Sequence, residues 1–320
     1  MAPLKIWSNA ILSDEGRERL VAATANHQLE HGDVAPEEAI SLAGFDIAFG
    51  QPPVDACAQA SSLRWLAVNT AGITHYDTPE FREDFRQRGS VFTNMSSVFS
   101  DSCAQHLLAM MLALSRKLPA SWADQQKPSP HWAYNDLRDI SDLLTGKTVL
   151  ILSFGRIARR LVELLQPFGM KIYALRRKAY SEKGVHVIAE EQLSAVLPQV
   201  DHLVNILPHN ASTDYYVNAR RLALLKRGAR FYNIGRGCTV DQNALMDALR
   251  EGRVGEAYLD VTEPEPLPPE HPLWRTPNCH ITSHTGGGHR HTERDLLDHF
   301  LSNLAAFERN DLPGMRDRID

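Results

Sequence analysis

Three side chains in the second half of the sequence have the types that carbonyl chemistry needs: Arg236, Glu265 and His284. Arg236 stands in Gly235-Arg236-Gly237, directly after the apolar run 229–234. A guanidinium there is a fixed cation that can grip a carboxylate through two parallel hydrogen bonds. His284 follows the run 280–283, and an imidazole exchanges a proton near neutral pH. Glu265 lies in the proline-rich segment 262–269; a hydrogen bond to His284 would orient the ring and favour its protonated form. Together these groups suit proton transfer to a carbonyl oxygen on a small acid. Plainer readings stand beside this one. Glu263 is two residues from Glu265, as in a solvated acidic loop, and His284 is one of fourteen histidines. His280, His284, His289 and His291 could suggest a metal, but Gly286-Gly287-Gly288 breaks any helical i, i+4 face and no Cys or Asp stands at ligand spacing, so no metal is expected.

The elements that must position these groups centre on residues 148–178. Residues 149–152 are a continuous apolar run, the pattern of a parallel strand covered on both faces. Gly155 follows at once, and Ile157, Leu161, Leu164, Leu165 and Phe168 recur at helical spacing before 171–175 returns to strand character. This is a βαβ unit whose helix N-terminus can receive a pyrophosphate at Gly155, Arg156 and Ile157. The G-x-G-x-x-G fingerprint is altered: Ser153, Gly155 and Ala158 occupy its glycine positions. Alanine satisfies the close packing of the third position, whereas Ser153 places a side chain where the first glycine makes the tight turn. A crossover without ligand is the plainer alternative. About 20 residues beyond the glycine turn, NAD sites present an acid to the ribose 2′-hydroxyl. Here the strand ends in Arg176-Arg177-Lys178, cations that would hold a 2′-phosphate, so NADP(H) is expected with NAD the alternative.

Strand-like runs at 4–7, 45–49, 63–68, 90–93, 202–207, 229–234, 257–261 and 280–283 alternate with helical patterns at 14–29, 218–226, 241–250 and 292–308. Such alternation predicts α/β architecture with a parallel, doubly wound sheet in each half. Ligands of such sheets bind at the carboxyl ends of strands, where Arg236, Glu265 and His284 all fall. The loop 69–74 after the third strand, with Ala71, Gly72 and Ile73, either converges its amides on an anion or is a simple turn. A long helix capped by Ser100 or Asp101 ends at Pro119, and 120–146 reads as an irregular, aromatic-rich excursion with Trp122, Trp132 and Tyr134. That excursion either covers its own core or packs on a partner subunit.

At 320 residues, with 43% apolar and 23% charged content, the chain has room for two globular cores. A net charge of −5 provides no global attraction to nucleic acid or to an anionic membrane. No apolar run reaches a membrane span, and the first residues lack a signal-peptide core. The four dispersed cysteines form no CxxC pair, so a reducing, cytoplasmic setting is expected.

The chain resembles the D-isomer-specific 2-hydroxyacid dehydrogenases, the family of glyoxylate/hydroxypyruvate reductases and phosphoglycerate dehydrogenase. The resemblance extends over nearly its whole length and is carried by FGRIARRLVELLQPFGMKI, YNIGRGCTVD, YLDVTEPEPLPPEHPLW and PNCHITSHTGGG. It implies a Rossmann cofactor domain (101–283) inserted into a flavodoxin-like substrate domain (1–100 and 284–320). It also implies that Arg236 binds substrate, that Glu265 rather than Glu263 supports the acid/base His284, and that Asp260 contacts the nicotinamide carboxamide. The Ala71-Gly72-Ile73 loop matches the clasp for the substrate carboxylate, and Leu207, Pro208, Thr213, Ile234, Gly235 and Gly286 match further cofactor contacts. A homodimer through the cofactor domain is implied, with the 120–146 excursion as interface. Departures are Ser153, Gln105 where relatives often carry Glu, and Ser283 where Pro is usual. The activity implied is reduction of a small 2-oxo acid. A cofactor-binding regulator or corepressor on the same fold is the alternative.

Overall fold

The computed structural model describes residues 2–32 and 40–319. They form two compact units, 1–99 with 289–320, and 100–288.

In the first unit, β1 (Lys5–Ser8), β2 (Gln28–His31), β3 (Ile47–Gly50), β4 (Trp65–Val68) and β5 (Val91–Thr93) make one parallel sheet in the order β2-β1-β3-β4-β5. That order is the flavodoxin-like form of the doubly wound sheet. β3 and β4 are wholly buried, which explains their unbroken apolar sequences. The C-terminal helix Thr292–Glu308 belongs to this unit because its apolar stripe completes the unit's core. Phe300 stacks on Phe49 with ring centroids 4.1 Å apart, and on Trp65 at 5.3 Å. Burying each such ring stabilises by about 1.5–3 kcal/mol. The chain end is tied in by a buried pair, His299 Nε2 to Asp317 Oδ2 at 3.0 Å.

The second unit holds β6 (Thr148–Leu152), β7 (Lys171–Leu175), β8 (Tyr180–Glu182), β9 (Val185–Ile188), β10 (His202–Asn205), β11 (Ala229–Asn233), β12 (Val254–Leu259) and β13 (Cys279–Ile281). Their order is β13-β12-β11-β10-β6-β7-β9-β8. All pair in parallel except β8, which runs antiparallel to β9 at one edge. Read outward from β6, this is the Rossmann order, with the direction of winding reversing between β6 and β10. The crevice at that reversal is therefore flanked by the turn after β6 and the turn after β10. Asp241 caps the helix Gln242–Arg250 by accepting from the Ala244 amide at 3.0 Å, as its position before the apolar stripe predicts.

Several boundaries differ from the sequence pattern. The expected helix 14–29 is a helix at Asp14–Ala23 followed by β2, because Thr24 breaks the helix and returns its hydroxyl to the Leu20 carbonyl at 2.8 Å. The long helix begins at Ser96, four residues before the expected cap, and ends at Ser115. Lys117 adopts left-handed angles, and Pro119 then lies in the first turn of a new helix, Leu118–Gln125, where proline is tolerated. The stretch 120–146 also contains a helix at Tyr134–Ile140 and is not irregular throughout. Among the described residues no helix is long and apolar enough to cross a membrane.

Candidate active site

Arg236 sits on a turn built from buried polar side chains. β10 and β11 lie side by side and end at Asn205 and Asn233, which are paired in register. Asn205 Nδ2 donates to Asn233 Oδ1 at 3.0 Å and to Thr239 Oγ1 at 2.7 Å. Asn233 Nδ2 and Thr239 Oγ1 both donate to the Arg236 carbonyl, at 3.2 and 2.7 Å, and the Gly235 amide donates to Asn233 Oδ1 at 3.1 Å. The flanking glycines are required by close approach. A Cβ on Gly235 would lie 2.6 Å from the Leu207 carbonyl oxygen, and one on Gly237 would collide with the Thr262 carbonyl. The turn is thus fixed from below, while the half-buried guanidinium is held locally by Nη1 donating to the Gly235 carbonyl at 2.7 Å.

His284 and Glu265 meet: Nδ1 of the imidazole lies 2.5 Å from Glu265 Oε1. Both side chains remain accessible, at 48% and 41% exposure, and the contact with Glu265 uses Nδ1 rather than Nε2. The backbone that presents His284 is held by Asp260 at the end of β12. Its Oδ1 accepts from Thr282 Oγ1 at 2.5 Å and from the Thr285 amide at 2.9 Å, and its Oδ2 accepts from the Gly286 amide at 2.9 Å. The His284 amide donates to the Asp260 carbonyl at 2.8 Å. Tyr258 joins this network, contacting Thr282 Oγ1 at 2.5 Å and His106 Nε2. Burial pushes the Tyr258 hydroxyl well above the usual phenol range, so it stays protonated as a donor. Burial, aided by the Asp260 charge, likewise pushes the Cys103 thiol up to about 12, which removes it as a nucleophile at neutral pH.

The turn after β6 presents the dinucleotide residues. Ser153 has φ of +93°, a region glycine occupies freely and side chains avoid, and its hydroxyl has no hydrogen-bond partner among the described residues. Gly155 precedes the helix Arg156–Leu165, whose N-terminus has no side-chain cap, and a Cβ on Gly155 would meet nothing within 4 Å. The protein's own packing leaves that space open. Ile157 is half-buried. At the end of β7, Arg176 and Arg177 are exposed and make no ion pair among the described residues. Leu207 is buried, and Thr213 Oγ1 donates to the Pro208 carbonyl at 2.7 Å, shaping the loop after β10. Ile234 and Gly286 are buried at the ends of β11 and the His284 turn. An open glycine, an uncapped helix N-terminus and two unpaired guanidinium groups fit a dinucleotide phosphate chain.

In the first unit, the loop after β4 is pinned through its carbonyls. Asn94 Nδ2 donates to the Ala71 carbonyl at 2.8 Å, Thr70 Oγ1 to the Gly72 carbonyl at 2.7 Å, and the Met95 amide to the Thr70 carbonyl at 3.0 Å. Among the described residues, the amides of Ala71, Gly72 and Ile73 have no acceptor, which leaves three donors for an anion.

The sequence reading did not single out Asn205, Asn233, Thr239, Tyr258, Thr282 or His106. Asn205 and Asn233 carried a usable signal: each is an amide closing an apolar strand, and buried polar residues are the informative exceptions. The network around Tyr258 and Asp260 had none, since Thr282 and His106 lie far from that pair in the chain.

A doubly wound dinucleotide fold with arginine, glutamate and histidine at its strand ends defines a class of nicotinamide-dependent enzymes. The chain belongs to the D-isomer specific 2-hydroxyacid dehydrogenase family, whose NAD-binding domain matches residues 108–286. It is 32% identical over 265 residues to glyoxylate reductase of Aeropyrum pernix, covering 81% of this chain and 77% of that one. Among solved structures, a D-isomer specific 2-hydroxyacid dehydrogenase from Xanthobacter autotrophicus, in complex with NADPH and MES, superposes with a TM-score of 0.82 at 24% identity, covering 100% of this chain and 98% of that one. The NADPH-dependent glyoxylate/hydroxypyruvate reductase of Sinorhizobium meliloti, in complex with NADP and sulfate, gives 0.77 at 22% identity, covering 99% and 98%.

Proposed function

We propose that this protein reduces a small 2-oxo acid of the glyoxylate or hydroxypyruvate type to the D-2-hydroxy acid, using NADPH in preference to NADH. The observation that carries the reading is the 2.5 Å contact between His284 and Glu265, on the same sheet edge as Arg236. A reduced nicotinamide held by these residues would supply the hydride to the carbonyl carbon. His284 gives its Nε2 proton to the carbonyl oxygen, so that one hydride and one proton convert the carbonyl to the alcohol. Glu265 orients the imidazole through its contact with Nδ1. Arg236 grips the substrate carboxylate, assisted by the amides of Ala71, Gly72 and Ile73.

Gly155, Arg156 and Ile157 bind the pyrophosphate beside Ser153; Leu207, Pro208, Thr213, Ile234, Gly235 and Gly286 line the rest of the cofactor, and Asp260 faces the carboxamide. Arg176 and Arg177 take the 2′-phosphate, supported by the lack of an acidic partner for either among the described residues. In this scheme residues 101–283 are the cofactor domain, and 1–100 with 284–320 the substrate domain. The protein works as a homodimer through its cofactor domain, with the exposed Trp122, Trp132, Tyr134, Ile140 and Leu143 as interface.

The test is a panel of 2-oxo acids assayed with NADPH and NADH, for the native protein and for Arg176→Ala. Turnover with glyoxylate or hydroxypyruvate is expected, with a higher NADPH KM and an unchanged NADH KM in the variant. Failure to consume either cofactor would overturn the activity. Equal losses with both cofactors would overturn the phosphate assignment.

A further inference from the structure

Outside the proposed catalytic groups, His209, Asp214 and Cys238 present an imidazole nitrogen, a carboxylate oxygen and a thiol sulfur, all within 4.8 Å of one another. We propose that these three side chains form a binding site for a borderline-soft divalent cation of the zinc class, with water as the fourth ligand. The donor set supports this: mixed nitrogen, sulfur and oxygen ligation by three side chains with one open position is a zinc arrangement, whereas magnesium and calcium select oxygen alone. Tetrahedral ligation at the usual bond lengths needs ligand atoms about 3.4 Å apart, a spacing bracketed by the 2.8 Å His209–Asp214 separation and the 4.8 Å limit that spans all three atoms.

The two segments that carry the ligands are already joined by backbone. The Tyr215 amide donates to the Cys238 carbonyl at 2.9 Å, and the Val217 amide to the Thr239 carbonyl at 3.0 Å. Little further ordering is needed on binding. His209 and Asp214 lie 2.8 Å apart, and as an exposed ion pair they would contribute little and have no use for a neighbouring thiol. A divalent cation bound there would displace the thiol proton. The site links the loop after β10 to the Arg236 turn, so an occupied site would stiffen both at once.

The experiment uses the full chain and Co2+ as probe. One equivalent is expected to produce a thiolate-to-cobalt charge-transfer band that Zn2+ abolishes. Cys238→Ser should remove the band, and His209→Ala and Asp214→Asn should each weaken Co2+ binding by at least about tenfold. Zn2+ should also raise the Tm of the native protein and leave that of Cys238→Ser unchanged. The backbone link through residue 238 persists in the serine variant, and circular dichroism checks its fold. No band at stoichiometric cobalt, or a band that survives Cys238→Ser, overturns the site. None of these readouts depends on turnover, so the reductase assignment can fail without touching this result.

Discussion

Ser153 and His284 both hold positive φ, +93° and +53°, at the two ends of the chemistry assigned to this site. Non-glycine residues in such conformations carry strain of about 1–3 kcal/mol each. Ser153 gains nothing visible in return, since its hydroxyl has no partner among the described residues. Replacing it by glycine should raise unfolding free energy by about 1 kcal/mol after the extra unfolded-state freedom of glycine is subtracted, read as a higher urea midpoint at unchanged m. An unchanged midpoint would show that the turn accommodates serine without strain. His284 differs, because Asp260 accepts the Thr285 and Gly286 amides that follow it, while Glu265 contacts the ring itself. His284→Ala should lower kcat by about 10²–10⁴ while the Kd for reduced cofactor stays near the native value. Near-native turnover would remove His284 from the acid/base role. The altered fingerprint is legible in the sequence as a wrong residue in a known pattern. Its conformational consequence is not, because φ follows from the turn as a whole.

At the scale of elements, the parallel strands are readable from unbroken apolar runs, since burial on both faces leaves no alternation to misread. β2, with its half-exposed, mixed sequence QLEH, lacks that signature and is found only because it pairs with β1. The same holds for β8 and β9, whose pairing depends on a turn at Gly184 with φ of +79°. The helices within 118–140 are hidden for another reason. They have no buried residue, so no apolar stripe marks a core face. Trp132 is 90% exposed there, with Trp122 and Tyr134 also uncovered. If this surface is the dimer contact, Trp132→Ser should shift the protein toward monomer in sedimentation at micromolar concentration, with the circular dichroism spectrum unchanged. An unaltered dimer, or a native protein that is monomeric, would place the contact elsewhere or remove it.

For the molecule as a whole, acid sensitivity is set partly by one histidine in the centre of the larger sheet. His202 is fully buried, with Nδ1 3.1 Å from the Tyr232 hydroxyl, and burial together with the Arg230 charge lowers its pKa to about 3. The unfolded chain protonates this group near the ordinary histidine value of 6.5, whereas the folded protein keeps it neutral. Between those values the unfolded state binds the extra proton, so stability is full above pH 6.5 and declines as the pH falls toward 3. The slope from this residue approaches about 1.4 kcal/mol per pH unit. His202→Leu should flatten the denaturation midpoint against pH across that window by this amount. A variant with the native slope would show that other groups carry the acid transition.

The eight-stranded sheet has a further property that follows from its ordering. Its two margins, β8 and β13, are only three residues long each. β8 also reverses direction, and its Glu182 is clasped by Arg159, whose guanidinium lies 4.3 Å over the Phe154 ring. A growing cross-β assembly needs a long, flat, neutral margin on which to add the next chain. This sheet offers stubs with charge at one rim, which leaves another chain little backbone margin on which to add.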